Sequence, residues 1–204
     1  MARQLDFYFD CSSPWTYLAF HAVQPLAAEL GVDVAWKPIL VGGVFNSVNQ
    51  TVYDNRAKPN PLKQAYMLKD LADWARLYGL EIVFPPTVFP VNSVKCMRGA
   101  LFALDEGKLI AYATAAFEAY WGDDRDIAHE EILADIASRA GLERQRFVAA
   151  LETDSYKARL RANTEELIAR GGFGSPTLFV GKSMFFGNDR LPLVKAALLD
   201  GGAR

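Results

Sequence analysis

Four residues near the start of the chain, Cys11, Ser13, Pro14 and Thr16, have the types and spacing that could do chemistry. They close the run Leu5-Asp6-Phe7-Tyr8-Phe9-Asp10 and open an amphipathic stretch. Proline has no N–H to leave unsatisfied and its φ is already helical, so Pro14 is expected in the first turn of a helix with Ser13 as its N-cap. A side chain at that place lies among free backbone N–H groups at the positive end of the helix dipole. Such a place lowers the cost of holding an anion such as a thiolate. Taken alone, a serine before a proline is also an ordinary helix start.

Other chemistries find little support. The only cysteines are Cys11 and Cys96, far apart in sequence, and no C-x-x-C motif occurs. A disulfide framework and a paired-ligand zinc site are therefore not expected, and Cys11 reads as a packing residue at a strand end. Gly181-Lys182-Ser183 resembles the end of a phosphate-binding loop. However, the nearest upstream glycine, Gly174, leaves six intervening residues where four are needed, and a strand rather than a helix is expected to follow. His21 and His129 are the only histidines; no G-x-S-x-G elbow accompanies them and neither has metal-ligand spacing. A net charge of −2 over 204 residues gives no electrostatic case for nucleic acid or an anionic membrane. No apolar run approaches the ~20 residues of a spanning helix and Met1-Ala2-Arg3-Gln4 does not start a signal peptide, so a soluble cytoplasmic protein is expected.

The elements that must position the elbow follow from periodicity. Leu5, Phe7 and Phe9 alternate as a strand, and Tyr17, Leu18, Phe20, Val23, Leu26, Ala27 and Leu30 form a helical stripe over 14–30, ended by Gly31 and bent near Pro25. A second strand over 32–40, parallel to the first, completes a βαβ unit. Residues 44–60 read as a polar loop in which Asn55, Arg56 and Lys58 supply amide and positive character. A helix over 62–78 presents Leu62, Tyr66, Leu71, Trp74, Leu77 and Tyr78. With three prolines, Ile82 to Pro90 reads as an extended apolar wall rather than a central strand. Helices are expected at 92–104, 108–121, 128–140, 143–152 and 155–170. Then come a hairpin of Thr177–Val180 and Ser183–Phe186 and a last helix from Arg190 to Leu199, capped by Asn188 or Asp189. The expected fold class is α/β: a thioredoxin-like frame of 1–45 and 172–204 carrying an all-helical insertion over 46–171.

Three stretches in this order, the elbow, Leu62-Lys63-Gln64-Ala65-Tyr66-Met67-Leu68-Lys69-Asp70-Leu71, and Phe173 to Gly181 with Phe185 to Leu191, resemble the 2-hydroxychromene-2-carboxylate isomerases, relatives of the kappa-class glutathione transferases in the DsbA-like branch of the thioredoxin superfamily. The likeness spans nearly the whole chain. It implies that Ser13 and Thr16 stand where a DsbA-type oxidoreductase has its attacking and resolving cysteines, so disulfide exchange is not expected. It further implies that glutathione is the cofactor, that the Ser13 hydroxyl donates to its sulfur, and that Ser175, before a cis-Pro176, offers backbone groups to it as an added strand. Asn188 and Asp189 would hold the γ-glutamyl end, and Lys63 and Asn55 the glycyl carboxylate. Without the resemblance, Gly174 to Thr177 is a plain turn, Asn188-Asp189-Arg190 a plain cap and Lys63 a solvated lysine. Trp121, Tyr120, Phe89 and Phe84 fit either an aromatic substrate pocket or the core.

The function so implied is a glutathione-dependent isomerase of aromatic-compound catabolism, converting 2-hydroxychromene-2-carboxylate or a related ring-fission intermediate to trans-o-hydroxybenzylidenepyruvate. The implied assembly is a homodimer. A kappa-like glutathione transferase or peroxidase, and a non-catalytic glutathione- or peptide-binding module, are the alternatives.

Overall fold

Alternation along β1 (Gln4–Phe9) sets the centre of the molecule: Leu5, Phe7 and Phe9 enter the main core while Tyr8 packs on the opposite side of the sheet with Ile39, Val44, Leu167 and Phe179. The computed structural model describes residues 4–201. The outermost ends expected for the thioredoxin-like frame, 1–3 and 202–204, lie outside them. Helix α1 (Pro14–Leu30) closes on Gly31, whose left-handed φ of 59° suits a residue without Cβ. It leads to β2 (Asp33–Pro38), which pairs parallel to β1 with Phe7 beside Trp36. At the other end of the chain, β3 (Thr177–Val180) lies antiparallel to β1, and β4 (Ser183–Phe186) antiparallel to β3. The sheet order is β2-β1-β3-β4.

The connection between β2 and β3 is helical: α2 (Val41–Val48), α3 (Thr51–Ala57), α4 (Pro61–Tyr78), α5 (Val94–Asp105), α6 (Leu109–Phe117), α7 (Glu130–Arg139), α8 (Arg144–Leu151) and α9 (Asp154–Ala169). Helix α10 (Leu191–Leu199) follows β4. One apolar core runs from the sheet and α1 into these helices, joining Phe7, Phe9 and Phe20 to Met97, Leu101, Tyr112, Phe117, Trp121 and Phe147. Packing within it is tight at Gly99, where a Cβ would meet the Tyr112 hydroxyl at 2.5 Å and the Phe147 ring at 2.7 Å. Among the described residues no helix is long and apolar enough to cross a membrane.

Four sequence expectations change. The polar loop over 44–60 is largely α2 and α3; helix α3 buries none of its residues, so it carries no apolar stripe for periodicity to detect. The helix expected over 108–121 ends at Phe117 and continues as a π-helical turn, Glu118–Gly122, which turns Trp121 towards the elbow. Helix α4 buries Leu71 and Ala75, whereas Leu62, Tyr66 and Leu77 stand 83%, 66% and 69% exposed. Finally, Asn188–Arg190 is a 3-10 turn, and α10 starts after Arg190 with no side-chain cap, so neither Asn188 nor Asp189 caps it.

Candidate functional site

Ser13 occupies the N-cap of α1 with extended backbone, φ −109° and ψ 122°, and its Oγ accepts the Thr16 N–H at 3.2 Å. The same hydroxyl donates to the carbonyl of Ser175 at 3.1 Å, and the Ser175–Pro176 peptide bond is cis. The other face of this junction is closed by hydroxyls: Thr16 Oγ1 and Ser175 Oγ lie 2.8 Å apart, and Ser175 Oγ also accepts the Asp10 N–H at 3.1 Å. Thr16 is fully buried and Ser175 is 7% exposed. Elbow and cis-proline loop thus form a single seam.

Beneath the seam lies a residue that sequence reading treated only as part of a strand. Asp10 is fully buried, and its carboxylate accepts the Ser12 N–H at 2.9 Å, the Val41 N–H at 2.8 Å and the Ser93 hydroxyl at 3.0 Å. Those donors belong to the starts of α1, α2 and α5, so one carboxylate fixes three helix N-termini around the elbow. Burial pushes the Asp10 carboxyl above its ordinary value, opposed by the three donors. A strand-end Asp is indistinguishable in sequence from a solvated one; the only available sign was its place directly after Phe9. Its oxygens are occupied by these donors, and the first turn of α1 itself carries no acidic residue to neutralise the dipole where Ser13 sits.

Cys11 lies behind the elbow rather than in it. Its thiol is fully buried next to Cys96, and burial first, then the hydrogen bond with Cys96, holds it well above the ordinary thiol value. Its backbone serves as an anchor: the N–H donates to Met97 Sδ at 3.3 Å, and the carbonyl accepts Trp121 Nε1 at 2.9 Å. The four aromatic residues divide between the two readings open in sequence. Tyr120 and Trp121 are core, at 1% and 0% exposed, whereas Phe84 is half-buried and Phe89 is 36% exposed. Phe84 stacks on Trp121 with centroids 6.1 Å apart, and Phe89 meets Phe84 edge-on at 5.3 Å. A partly open aromatic wall therefore begins one hydrogen bond from the elbow.

The remaining sequence-derived positions fall into two groups. Gly187 N–H donates to the Pro176 carbonyl at 3.2 Å, which attaches the Asn188–Arg190 turn to the cis-proline loop, and that turn also packs against α1. Asn188 is 4% exposed and its buried Nδ2 has no hydrogen-bond partner. A buried donor left unpaired costs about 1–3 kcal/mol, so it is a natural point for a ligand acceptor. Asp189 is half-exposed beside Arg190. Ser13, Ser175, Pro176, Asn188 and Asp189 are thus brought to one end of the sheet. Lys63 and Asn55 are exposed on α4 and α3, and the structure links neither to the seam directly; α4 packs on α1. Among the described residues no group of His, Cys, Asp and Glu is placed to hold a metal ion.

Comparison with known proteins places this geometry. The model of the DSBA-like thioredoxin domain matches residues 4–199. The 2-hydroxychromene-2-carboxylate isomerase of Pseudomonas putida is 32% identical over 194 residues, covering 95% of this chain and 93% of its own. A solved structure of a 2-hydroxychromene-2-carboxylate isomerase superposes with a TM-score of 0.81 at 30% identity, covering 97% of this chain and 95% of the other. Glutathione S-transferase kappa 1 of Rattus norvegicus is 24% identical, covering 94% of this chain and 89% of its own.

Proposed function

The chain belongs to the 2-hydroxychromene-2-carboxylate isomerase family within the DSBA-like thioredoxin domains, and from that premise we propose that it is a glutathione-dependent isomerase of 2-hydroxychromene-2-carboxylate or a closely related aromatic ring-fission intermediate. The observation that carries the reading is the Ser13–Ser175 junction: a hydroxyl at a helix N-terminus, bonded to the residue before a cis-proline, with Thr16 rather than a second thiol behind it.

The residues present suit glutathione. Asn188 Nδ2 is a buried donor without a partner, next to a loop whose Ser175 carbonyl is held only by the exchangeable Ser13 hydroxyl proton. In this reading the Ser175 backbone receives the peptide part of the cofactor as an added strand. Asn188 and Asp189 hold the γ-glutamyl carboxylate and ammonium, and Lys63 and Asn55 the glycyl carboxylate. When bound, glutathione would supply a thiolate nucleophile for reversible addition to the unsaturated ring system. The chain's own part is to stabilise sulfur as the anion. Ser13 would turn its proton from the Ser175 carbonyl to the sulfur while the Thr16 N–H keeps its Oγ in place, and the Asp10 N–H holds the neighbouring Ser175 Oγ. A free thiol of pKa about 8.5 is a few per cent ionised at neutral pH, so lowering that value by one to two units raises the reactive fraction about tenfold or more. In this reading disulfide exchange is not expected: the chain's two thiols, Cys11 and its neighbour Cys96, are both fully buried, and burial pushes the Cys11 thiol well above its ordinary value.

The test is turnover of 2-hydroxychromene-2-carboxylate with and without glutathione, with free glutathione assayed at the end. Isomerisation that needs glutathione and returns all of it is the expected result. Stoichiometric loss of glutathione to an adduct would make the protein a transferase of the kappa kind, and binding without turnover would make it a binding module.

A further inference from the structure

Arg56 lies on α3, a seven-residue helix with no buried residue, and two aromatic rings hold it. Its guanidinium carbon sits 5.6 Å from the centroid of Phe45 and 5.5 Å from that of Phe89. Among the described residues its side chain forms no ion pair and no hydrogen bond, so the guanidinium lies over two rings while its N–H fork is unengaged. The carboxylate bound to the Ile82–Pro90 segment, Asp124, does not answer it; its two oxygens accept the Thr87 N–H at 2.7 Å and the Thr87 hydroxyl at 2.6 Å.

The ring under Arg56 belongs to the wall that reaches the elbow. Phe89 meets Trp121 at 6.4 Å as well as Phe84 at 5.3 Å, and Trp121 donates to the Cys11 carbonyl, two residues before Ser13. An unengaged guanidinium at one end of a partly exposed aromatic wall and a thiolate-stabilising elbow at the other describe a site for a flat aromatic acid. We propose that Arg56 is the specificity-determining residue of this site: its N–H fork binds the carboxylate of an aromatic acid whose ring lies against Phe84 and Phe89. The inference rests on the isomerase reading above, and it adds the group that selects the substrate's charge. Arginine suits this role because the planar fork matches a carboxylate bidentately while stacking on Phe45 and Phe89 fixes its orientation beforehand.

The experiment uses a non-reactive probe, coumarin-3-carboxylate, and its methyl ester, titrated calorimetrically into the wild-type protein, Arg56→Met and Arg56→Lys. Glutathione affinity is measured on the same samples. Wild type should prefer the acid to the ester; Arg56→Met should weaken the acid about 10- to 100-fold, with little change for the ester. Arg56→Lys should fall between them, and glutathione affinity should stay within about twofold throughout. Equal affinity of wild type and Arg56→Met for the acid, no preference of wild type for acid over ester, no binding of the acid by wild type, or a loss confined to glutathione would each overturn the assignment. The two readings fail separately. Acid binding through Arg56 without isomerisation would refute the activity alone, whereas isomerisation at unchanged kcat/KM in Arg56→Met would refute the anchor alone.

Discussion

The seam between the α1 elbow and the cis-Pro176 loop and the helical arm formed by α2, α3 and the start of α4 are built in opposite ways. In the seam the polar residues are the buried ones: Asp10 and Thr16 are fully buried, and Ser175 and Asn188 nearly so. In the arm the apolar residues are among the exposed ones, with Val48 at 51%, Tyr53 at 41% and Leu62 at 83%. A buried hydrogen-bond network fixes atoms to fractions of an ångström because every misplacement leaves a donor unpaired. An exposed arm held by rings and caps can change its side chains at little cost to the fold. In the proposed reading the cofactor's sulfur is handled on the fixed side and the aromatic substrate is selected on the adaptable side.

Removing Asp10 should have the largest effect. Asp10→Ala strands the Ser12 and Val41 N–H groups and the Ser93 hydroxyl, and is expected to cost about 3–5 kcal/mol in denaturant unfolding. A loss below about 1 kcal/mol would mean that the seam is not fixed by this carboxylate. The pH dependence has a definite sign. Because burial raises the folded carboxyl, the native chain holds a proton that the unfolded chain has released, once pH exceeds the ordinary value near 3.8. The contribution of Asp10 to stability is therefore greatest below that value and declines as pH rises through its folded value. Asp10→Asn should lack this slope.

Binding substitutions sharpen the contrast at smaller magnitude. Asp189→Ala should weaken glutathione by about 1.5–3 kcal/mol if its carboxylate meets the ammonium group. Lys63→Ala, on the exposed arm, should cost at most about 1 kcal/mol. Calorimetry on desalted protein measures both, and a larger loss at Lys63 than at Asp189 would reverse the ranking of the two regions.

Legibility in sequence followed the same division. Where burial follows hydrophobic period, as in β1, α1 and the hairpin, the elements and their order could be read directly, and Pro14 with Ser13 marked the elbow. Helix α3 was read as loop because a short, exposed helix carries no stripe, and α2, eight residues long, buries only Val41 and Val44, too few to show a period. Asp10 was missed because two of its three donors, the Val41 N–H and the Ser93 hydroxyl, come from segments far away in sequence. The π turn was missed because Trp121 reaches the Cys11 carbonyl across 110 residues, a tertiary bond that overrides helical continuation. Ser13 and Ser175, 162 residues apart, were assigned to one site through family resemblance; periodicity alone could not have joined them.

The central claim is that Ser13 stabilises a sulfur anion, and ultraviolet titration of glutathione bound to wild type and to Ser13→Ala tests it most directly. Loss of the N-cap should cost only about 1 kcal/mol of stability, so the variant remains folded for the comparison. The account predicts that wild type lowers the thiol pKa by about one to two units from about 8.5 and that Ser13→Ala returns most of that shift, with turnover falling in parallel. An unchanged thiol pKa and an unchanged rate in Ser13→Ala would contradict it.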